Sequence, residues 1–445
     1  MHGDGHSWRA FAAAVAAVAV LVSAGCSDAE LLKPPAEADA PLPTVPSVPG
    51  AARLEGLMGT WPENDVSKAF WHRLLGEDPS LTVATGAAAA YDAAVIVGLA
   101  AEIARTDAPS KLAAEVVGLT TEGAKCSTFA TCKKLTDQMT DIDYDGQSGA
   151  IELQPGGDPG EASYAVGRID GEGGLEKSSV RAAAVQEPGA PPRGDAELNP
   201  LAGPPADGRL IIGTVLPRSG PQAEEAKAQL AAVRLAVADM NTAGGVLGER
   251  VELVQGDSGP AGSPTARATV ADQLARGVDV IIGPPSSAAI EGILDEVTQA
   301  GVVLFGPTAT GTALGAADRG LFFRLTPSDA LQADALADVV TGEGVLAVTA
   351  VVQGGAAWQG LLPDLSAGLQ RSGASVTTTV VFDPADPAAP STVAAVRTAT
   401  TEAVVFLGDE GPLSELMDAL LSAGSSPEKP RWFTMNLSPR LGERG

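Results

Sequence analysis

The sequence predicts an α/β fold with doubly wound parallel sheets, and three observations carry this prediction. Apolar runs of strand length alternate with amphipathic runs of helix length over residues 209–329. The strand runs, such as 210–216, are apolar at consecutive positions, which is typical of strands covered by helices on both faces. Small hydroxyl residues follow two of these strands, at the edge where such sheets bind ligands.

The elements of the second half of the chain follow in order. Within the helix predicted over 222–243, Leu230, Val233, Val237 and Met240 recur at intervals of three and four and make one apolar face. The pair Gly244-Gly245 ends this helix, because glycine tolerates left-handed geometry. Strands are predicted over 210–216, 250–255, 278–282, 302–305, 345–352, 376–382, 403–407 and 431–435, with helices between them.

The first half contains a folded block over residues 51–178 that has too few strands for a sheet of its own. Strands are predicted over 54–60, 144–153 and 163–169, and helices over 66–75 and 85–105. Residues 179–207 are rich in proline and glycine, which break regular elements. We therefore interpret 179–207 as a linker between the block and residues 208–445.

The first 50 residues predict export from the cytoplasm. Arg9 precedes an apolar stretch over 10–22 that suits a signal-peptide core and is short for a membrane span. The small residues before Cys26 resemble a lipoprotein signal, whose cysteine is lipidated at the new N-terminus; an ordinary cleaved signal is the alternative. Residues 27–50, rich in proline, alanine and acids, predict an extended tether.

Composition excludes several classes of function. The net charge of −26 argues against nucleic acid or an anionic membrane surface as the main partner, since both require basic patches. His72 is the one histidine beyond the leader, which argues against histidine-based catalysis and multi-histidine metal sites. Hydrophobic residues make up 45% of the chain, enough for a sizeable core.

The second half resembles the beginning of a known family. Segments 211–221, 236–250, 280–287, 304–314 and 323–329, including Ile282-Gly283-Pro284, resemble the extracytoplasmic solute-binding proteins of branched-chain amino-acid ABC transporters, the Leu/Ile/Val-binding type. The resemblance implies a type I periplasmic-binding fold, in which two doubly wound parallel sheets form two lobes joined by hinge strands. It also implies no cofactor and no enzymatic activity.

The block over 51–178 resembles the other end of the same family. Segment 54–60 resembles the strand that crosses between lobes, and segment 90–93 resembles a late helix of the first lobe. The closing strands of the family resemble segments 141–149, 157–159 and 162–164. Family order is thus restored when 208–445 is followed by 51–178, which predicts a circular permutation. The first lobe would span about 208–328 and the second about 329–445, and segment 321–325 resembles the first crossover between them. Two incomplete halves of a tandem array are the alternative.

In the first lobe, the resemblance places the ligand carboxylate against hydroxyl and backbone N–H groups after two strands. Hydroxyls together with the N–H groups at a helix start can bind an anion without a formal positive charge. The alternative is that these residues only cap helices and form turns. The positions are Ser286, Ser287, Thr308, Ala309 and Thr310.

In the second lobe, the resemblance is weaker. Trp358 stands where the family often has an aromatic residue over the ligand, and plain packing is its alternative. Asn436 aligns with the acid that pairs the ligand ammonium and is neutral, although a buried ammonium requires an anionic partner. Either Asp409, which follows the strand 403–407, takes that role, or the ligand is not a standard amino acid.

Two further patterns lie in the block. Cys126 and Cys132 form a close pair in an extracytoplasmic segment and predict a local disulfide, with two free thiols as the alternative. Asp141, Asp143, Asp145 and Glu152 have the spacing of an EF-hand calcium loop. The flanking helices are absent, and the family resemblance explains the same residues as a turn, so calcium is a weak candidate.

The sequence as a whole predicts a monomeric lipoprotein on the outer face of the cell membrane. It would capture a small polar solute, an amino acid or a related compound, between two lobes and deliver it to an ABC permease. The alternative is a sensor or scaffold with the same fold and a degenerate pocket.

Overall fold

A five-stranded and a seven-stranded sheet form the framework of this protein. The computed structural model describes residues 54–62, 66–172, 174–184, 203–260, 262–315, 319–425, 430–435 and 437. The strands are β1 (Met58–Pro62), β2 (Ala124–Cys126), β3 (Ile142–Tyr144), β4 (Glu161–Ile169), β5 (Leu175–Ala184), β6 (Ile211–Leu216), β7 (Glu252–Asp257), β8 (Val280–Ile282), β9 (Val303–Gly306), β10 (Phe322–Arg324), β11 (Ala347–Gln353), β12 (Ser375–Phe382), β13 (Ala403–Leu407) and β14 (Arg431–Met435). The helices are α1 (Lys68–Glu77), α2 (Ala87–Ala104), α3 (Pro109–Val116), α4 (Phe129–Asp137), α5 (Ala223–Thr242), α6 (Thr265–Ala275), α7 (Ser287–Gln299), α8 (Asp329–Gly342), α9 (Ala356–Gly360), α10 (Leu362–Arg371), α11 (Pro390–Thr398) and α12 (Glu410–Ser422).

The first lobe contains the five-stranded sheet, in the order β10-β9-β8-β6-β7. Every pairing in it is parallel, with Ile212 of β6 opposite Val280 of β8. The central strands β8 and β9 are short, apolar and fully buried, which is typical of strands covered by helices on both faces. The carboxyl ends of β8 and β9 therefore open side by side at one edge of the sheet.

The second lobe contains the seven-stranded sheet, in the order β12-β11-β13-β14-β1-β4-β5. The first five strands run parallel, while β4 is antiparallel to both β1 and β5. β1, from the first half of the chain, thus lies between β14 and β4, with Met58 opposite Phe433 on one side and Arg168 on the other. The predicted α/β fold with parallel sheets is confirmed.

The first half of the chain is divided between the two lobes. Its strands β1, β4 and β5 complete the second sheet, whereas α1 to α4 pack on the first lobe. Phe70 of α1 and Tyr91 of α2 belong to the same buried cluster as Ile212 and Phe305 of the first sheet. The Tyr91 hydroxyl also donates a hydrogen bond to Asp239 of α5. The chain consequently passes from one lobe to the other at three places, which we call the crossings. They lie between β1 and α1, between β3 and β4, and between β10 and α8.

Local sequence signals explain where many helices begin. A serine or threonine side chain accepts a backbone N–H at the start of four helices, which satisfies donors that the helix itself leaves unpaired. These caps are Ser67 for α1, Thr128 for α4, Ser286 for α7 and Ser328 for α8. Among the described helices, α2 alone has the length and hydropathy of a membrane span, and 83% of that window is buried inside the protein.

Three predicted boundaries are wrong. The strand predicted over 54–60 is β1 at Met58–Pro62, because Leu54 belongs to a 3-10 turn and the two residues after it form a turn that precedes the strand. The strand predicted over 144–153 ends at Tyr144, and the following residues form turns. The linker predicted from residue 179 begins too early, since β5 continues to Ala184 along β4. Residues 1–53, with Cys26, and residues 185–202 lie outside the described parts of the chain.

Candidate functional site

The loops after β8 and β9 meet at the carboxyl edge of the first sheet, as predicted. Ser286 caps α7, since its hydroxyl accepts the Ala289 N–H at 3.3 Å. The Thr308 hydroxyl donates to the Pro285 carbonyl at 2.9 Å and accepts from Gln229 of α5 at 3.4 Å. The Ser286 hydroxyl is therefore engaged in capping its own helix, whereas the Thr308 hydroxyl joins the two loops to α5 behind them. Ala309 is fully buried in the core of the lobe.

Ser287 has the geometry of a donor to an anion. Its Oγ accepts the N–H groups of Thr310 at 3.2 Å and Gly311 at 2.9 Å, so both acceptor positions of the oxygen are used. The hydroxyl hydrogen is then the group that remains for an outside acceptor. Because α7 begins at Ser287, its partial positive end lies at the same place.

Asp329, at the start of α8, ties the same loop to the crossing into the second lobe. Its backbone N–H donates to the Thr310 carbonyl at 2.8 Å, and its carboxyl accepts the Thr310 side chain. Burial raises the pKa of the Asp329 carboxyl, while the hydrogen bond from Thr310 and the nearby Arg324 oppose that rise. Thr310 thus links the candidate anion site directly to a hinge element.

Arg324, at the end of β10, holds three segments together beneath the site. Its side chain is 2% exposed, and its Nε and Nη2 bind the two carboxylate oxygens of Asp158 at 2.6 and 2.7 Å. Its Nη1 donates to the Gly311 carbonyl at 2.8 Å. The planar guanidinium matches a carboxylate in this two-point geometry. This Arg324–Asp158 clasp therefore fixes the crossing after β10 to the segment that enters β4.

The second lobe presents a small recess at the carboxyl ends of β13 and β14. The recess has a volume of 90 Å³. Its lining consists of Trp358, Gly408, Asp409, Glu410, Leu413, Thr434 and Met435. Trp358 also packs against the core of the lobe. Two of the predicted residues, Trp358 and Asp409, are thus brought together, while Asn436 lies outside the described residues.

A larger cavity of 640 Å³ lies beside the crossing segments. It is bounded by the start of α2, residues 147–152, the start of β4, the end of β5, residues 325–327 and α8. None of the predicted ligand residues lines it. Because its walls include the crossings themselves, this cavity lies on the hinge side, and the strand-end loops remain the candidate site.

The predicted calcium loop does not assemble. Lys125 of β2 places its ammonium between the carboxylates of Asp143 at 2.9 Å and Asp145 at 3.1 Å. Within the described residues, no three acidic, histidine or cysteine side chains are grouped so that they could hold a metal. A lysine from the neighbouring strand therefore occupies the position expected for the cation.

Asp92 organises the turn that carries the predicted motif. Its buried carboxylate accepts hydrogen bonds from the Tyr144 hydroxyl, the Gln147 N–H and both the N–H and the hydroxyl of Ser148, at 2.6–2.8 Å. Burial raises the pKa of Asp92, and these four donors act against that rise. The structure joins Cys126 and Cys132, next to this turn, by a disulfide.

The contacts of three residues, Arg324, Asp158 and Gln353, were not predicted from the sequence. Arg324 interrupts an apolar run of two leucines and two phenylalanines, and a charge within a buried strand is the signal that could have revealed its clasp. The local sequence around Asp158 and Gln353 gives no such signal. Asp158 pairs with Arg324, 166 residues away, and Gln353 pairs with Asp409, 56 residues away.

Comparisons with known proteins agree with this architecture. A family model described as periplasmic binding protein matches residues 210–438, which is 229 of 445 residues. A Leu/Ile/Val-binding protein homolog of Brucella melitensis is 30% identical over 220 residues, covering 48% of this chain and 59% of that protein. The Leu/Ile/Val-binding protein BraC3 of Rhizobium johnstonii is 28% identical over 209 residues, covering 46% and 56%. The chain thus spans less than two thirds of these curated relatives.

Solved structures give a more distant comparison. The branched-chain amino acid transporter substrate binding protein LivJ of Streptococcus pneumoniae, in complex with isoleucine, has a TM-score of 0.39 and 22% identity, covering 48% of this chain and 62% of that one. A leucine-, isoleucine-, valine-, threonine- and alanine-binding protein of Brucella ovis has a TM-score of 0.43 and 22% identity, covering 51% and 60%. The family match spans more than half of the sequence. The chain therefore belongs to the periplasmic binding protein family, a group of non-enzymatic, extracytoplasmic solute-binding proteins.

Proposed function

We propose that this protein is a membrane-tethered solute-binding protein that captures a small polar solute between its lobes for an ABC importer. The observation that carries the proposal is Ser287, whose oxygen is saturated by two N–H groups and whose proton is left to donate at a helix start. The family and the printed names of the curated relatives support an amino acid or a related compound as the solute.

Closure follows from how the lobes are joined. α9 of the second lobe approaches a short 3-10 helix, Thr312–Gly315, that follows the Ser287 and Thr310 loops of the first. A solute held by Ser287 would gain contacts from the recess at Trp358 when the lobes rotate about their crossings. Those extra contacts would favour the closed state, as differential binding requires. An importer could then distinguish loaded from empty protein.

The permuted order is part of the same proposal. The position of β1 between β14 and β4 supports it, since the first half of the chain supplies three strands to the sheet of the second lobe. The residues that join Ala184 to Gly203 would connect the ends that are free in family order. Cleavage before Cys26 and its lipidation would tether the domain to the membrane through residues 27–50.

Ligand binding is expected to raise the melting temperature of the protein. A ligand at one hundred times its Kd adds about 2.7 kcal/mol to the free energy of unfolding, because only the folded state binds it. The measurement is a thermal-shift panel of L-leucine, L-isoleucine, L-valine, other amino acids, amides and small carboxylic acids. Absence of any shift across the panel would favour the sensor or scaffold alternative.

Substitution Ser287→Ala should weaken the binding of a carboxylate ligand by roughly 10- to 100-fold, since one hydrogen bond to a charged group contributes about 1.5–3 kcal/mol. Ser366→Ala is the matched control, because among the described residues the Ser366 hydroxyl bonds the Leu362 carbonyl of its own helix, α10. Equal affinities of the Ser287 variant and the wild type in calorimetric titration would remove Ser287 from the site.

A further inference from the structure

A pocket of 330 Å³ lies in the second lobe, where α11 and α12 end beside the start of β14. Small-molecule sites typically have volumes of about 300–1,000 Å³. Trp432 lines this pocket and Met435 lines the recess at Trp358; the two residues are three positions apart in β14, which is about 10 Å. The pocket, which we call the β14 pocket, is therefore separate from the candidate solute site.

Most of the described residues that line the β14 pocket are apolar. Val396 of α11 and Met417 and Leu420 of α12 belong, with Trp432, to one buried hydrophobic cluster. At about 30 Å³ per water molecule, the pocket has the volume of about eleven waters, which is room for a ring or a short alkyl chain. Removal of an apolar group from water into these walls would favour its binding.

Two side chains at the pocket lack hydrogen-bond partners among the described residues, and both are donors. Trp432 is 2% exposed, and no described residue accepts a hydrogen bond from its indole N–H, although a buried tryptophan usually pairs this group. Arg397 is exposed, and its guanidinium forms no hydrogen bond or ion pair with a described residue. No aspartate or glutamate is among the described lining residues. A ligand here would therefore meet a positive charge and unpaired donors.

Acceptors at the end of α12 are already engaged. The Leu420 carbonyl accepts the Ser425 N–H at 3.0 Å, and the Leu421 carbonyl accepts the Gly424 N–H at 2.9 Å. Arg397 lies in the last turn of α11, where its charge opposes the partial negative charge of that helix end. The polar groups of the pocket thus suit a ligand that accepts hydrogen bonds and carries a negative charge.

We propose that the β14 pocket binds a small carboxylic acid with an apolar body, such as an arylalkanoate. The apolar body would pack against Met417 and Leu420, and the carboxylate would accept hydrogen bonds from the Arg397 guanidinium and the Trp432 N–H. A planar guanidinium matches a carboxylate in geometry as well as in charge. This second site lies apart from Ser287, so it goes beyond the proposed solute-binding function and does not depend on it.

The test is a titration of the full protein, isotope-labelled on its tryptophan nitrogens, with 3-phenylpropanoate. The indole N–H resonances are followed by NMR, and Trp432→Phe identifies the Trp432 resonance by its loss. We expect that resonance to shift saturably, with a Kd of about 1 mM or tighter. Arg397→Gln should weaken binding about tenfold or more. Arg276→Gln is the matched control, because Arg276 is an exposed arginine at the end of α6 in the first lobe.

Two molecules of the same shape test the predicted charge of the ligand. The neutral 3-phenylpropanamide and the cationic 3-phenylpropan-1-amine should each bind at least about tenfold more weakly than the acid. Equal binding of the amine would overturn the inference, as would an acid that leaves the Trp432 resonance unmoved. Ser287→Ala should bind the acid as the wild type does; a weakened affinity would place the acid in the solute site instead. Because Arg397 is exposed, calorimetric titration of Arg397→Gln answers the question even if Trp432→Phe misfolds.

Discussion

Replacement of Arg324 by methionine is expected to lower the free energy of unfolding by about 3 kcal/mol or more. The side chain is buried and makes three hydrogen bonds, two to Asp158 and one to the Gly311 carbonyl. Methionine fills a similar volume but leaves a carboxylate and a carbonyl without their donor, and losing one partner of a buried ion pair is costly. Urea unfolding monitored by circular dichroism gives the measurement.

Two further variants serve as controls for Arg324→Met. Arg276→Ala removes an exposed arginine paired with Asp272 one helical turn away, and should change the stability by less than about 1 kcal/mol. Arg324→Lys should also destabilise, because an ammonium cannot reproduce the two-point contact with Asp158. If Arg324→Met were as stable as the Arg276 variant, the clasp would not hold the crossing segments together.

Substitution of Asp279 by asparagine should stabilise the protein at alkaline pH and flatten its pH dependence. Asp279 is 2% exposed, accepts the Ile211 N–H at 2.8 Å, and is close to the acids Asp107 and Asp207. Burial, reinforced by these two negative neighbours, raises the pKa of Asp279 to about 8. An unfolded aspartate has a pKa of about 3.9, so the folded protein holds a proton that the unfolded chain releases between these values.

That difference in bound protons determines whether the free energy of unfolding rises or falls with pH. The favourable contribution of protonated Asp279 is complete below about pH 4 and is lost as the pH rises through about 8. Asparagine stays neutral and keeps an acceptor for the Ile211 N–H, so its advantage should grow to a few kcal/mol by pH 9. The check is urea unfolding of both proteins at pH 5, 7 and 9, with Asp137→Asn, an exposed acid, as control. Parallel pH profiles for wild type and Asp279→Asn would show that Asp279 does not bind the proton that stabilises the folded protein.

The periodicity of the second half was sufficient to predict its strands and helices. Each apolar run from β6 to β14 forms a strand within one or two residues of its predicted ends. The central strands among them, such as β8 and β13, are buried on both faces, so the burial that selects these strands is visible in the local sequence. β5 gave no such pattern, because most of its side chains are exposed at the sheet edge. Its existence depends on pairing with β4.

The site was predicted less completely, for a physical reason. The resemblance pointed to Ser287 and Thr310 as candidates, and the structure places both on one pair of interlocked loops. What Asp409 and Asp145 do, however, depends on partners supplied by other strands. Gln353 turns Asp409 away from its own helix, and Lys125 occupies the acidic turn that resembled a calcium loop. Such long-range contacts leave no periodic trace in a single sequence.

One chain builds both lobes of this protein, and its first half completes the second sheet. The most direct measurement is the native mass of the protein together with its thermal unfolding by calorimetry. We expect the mass of a single chain and one cooperative transition, because β1 is bonded to both β14 and β4 within the same molecule. An obligate dimer, or separate transitions for the two halves of the chain, would contradict this expectation.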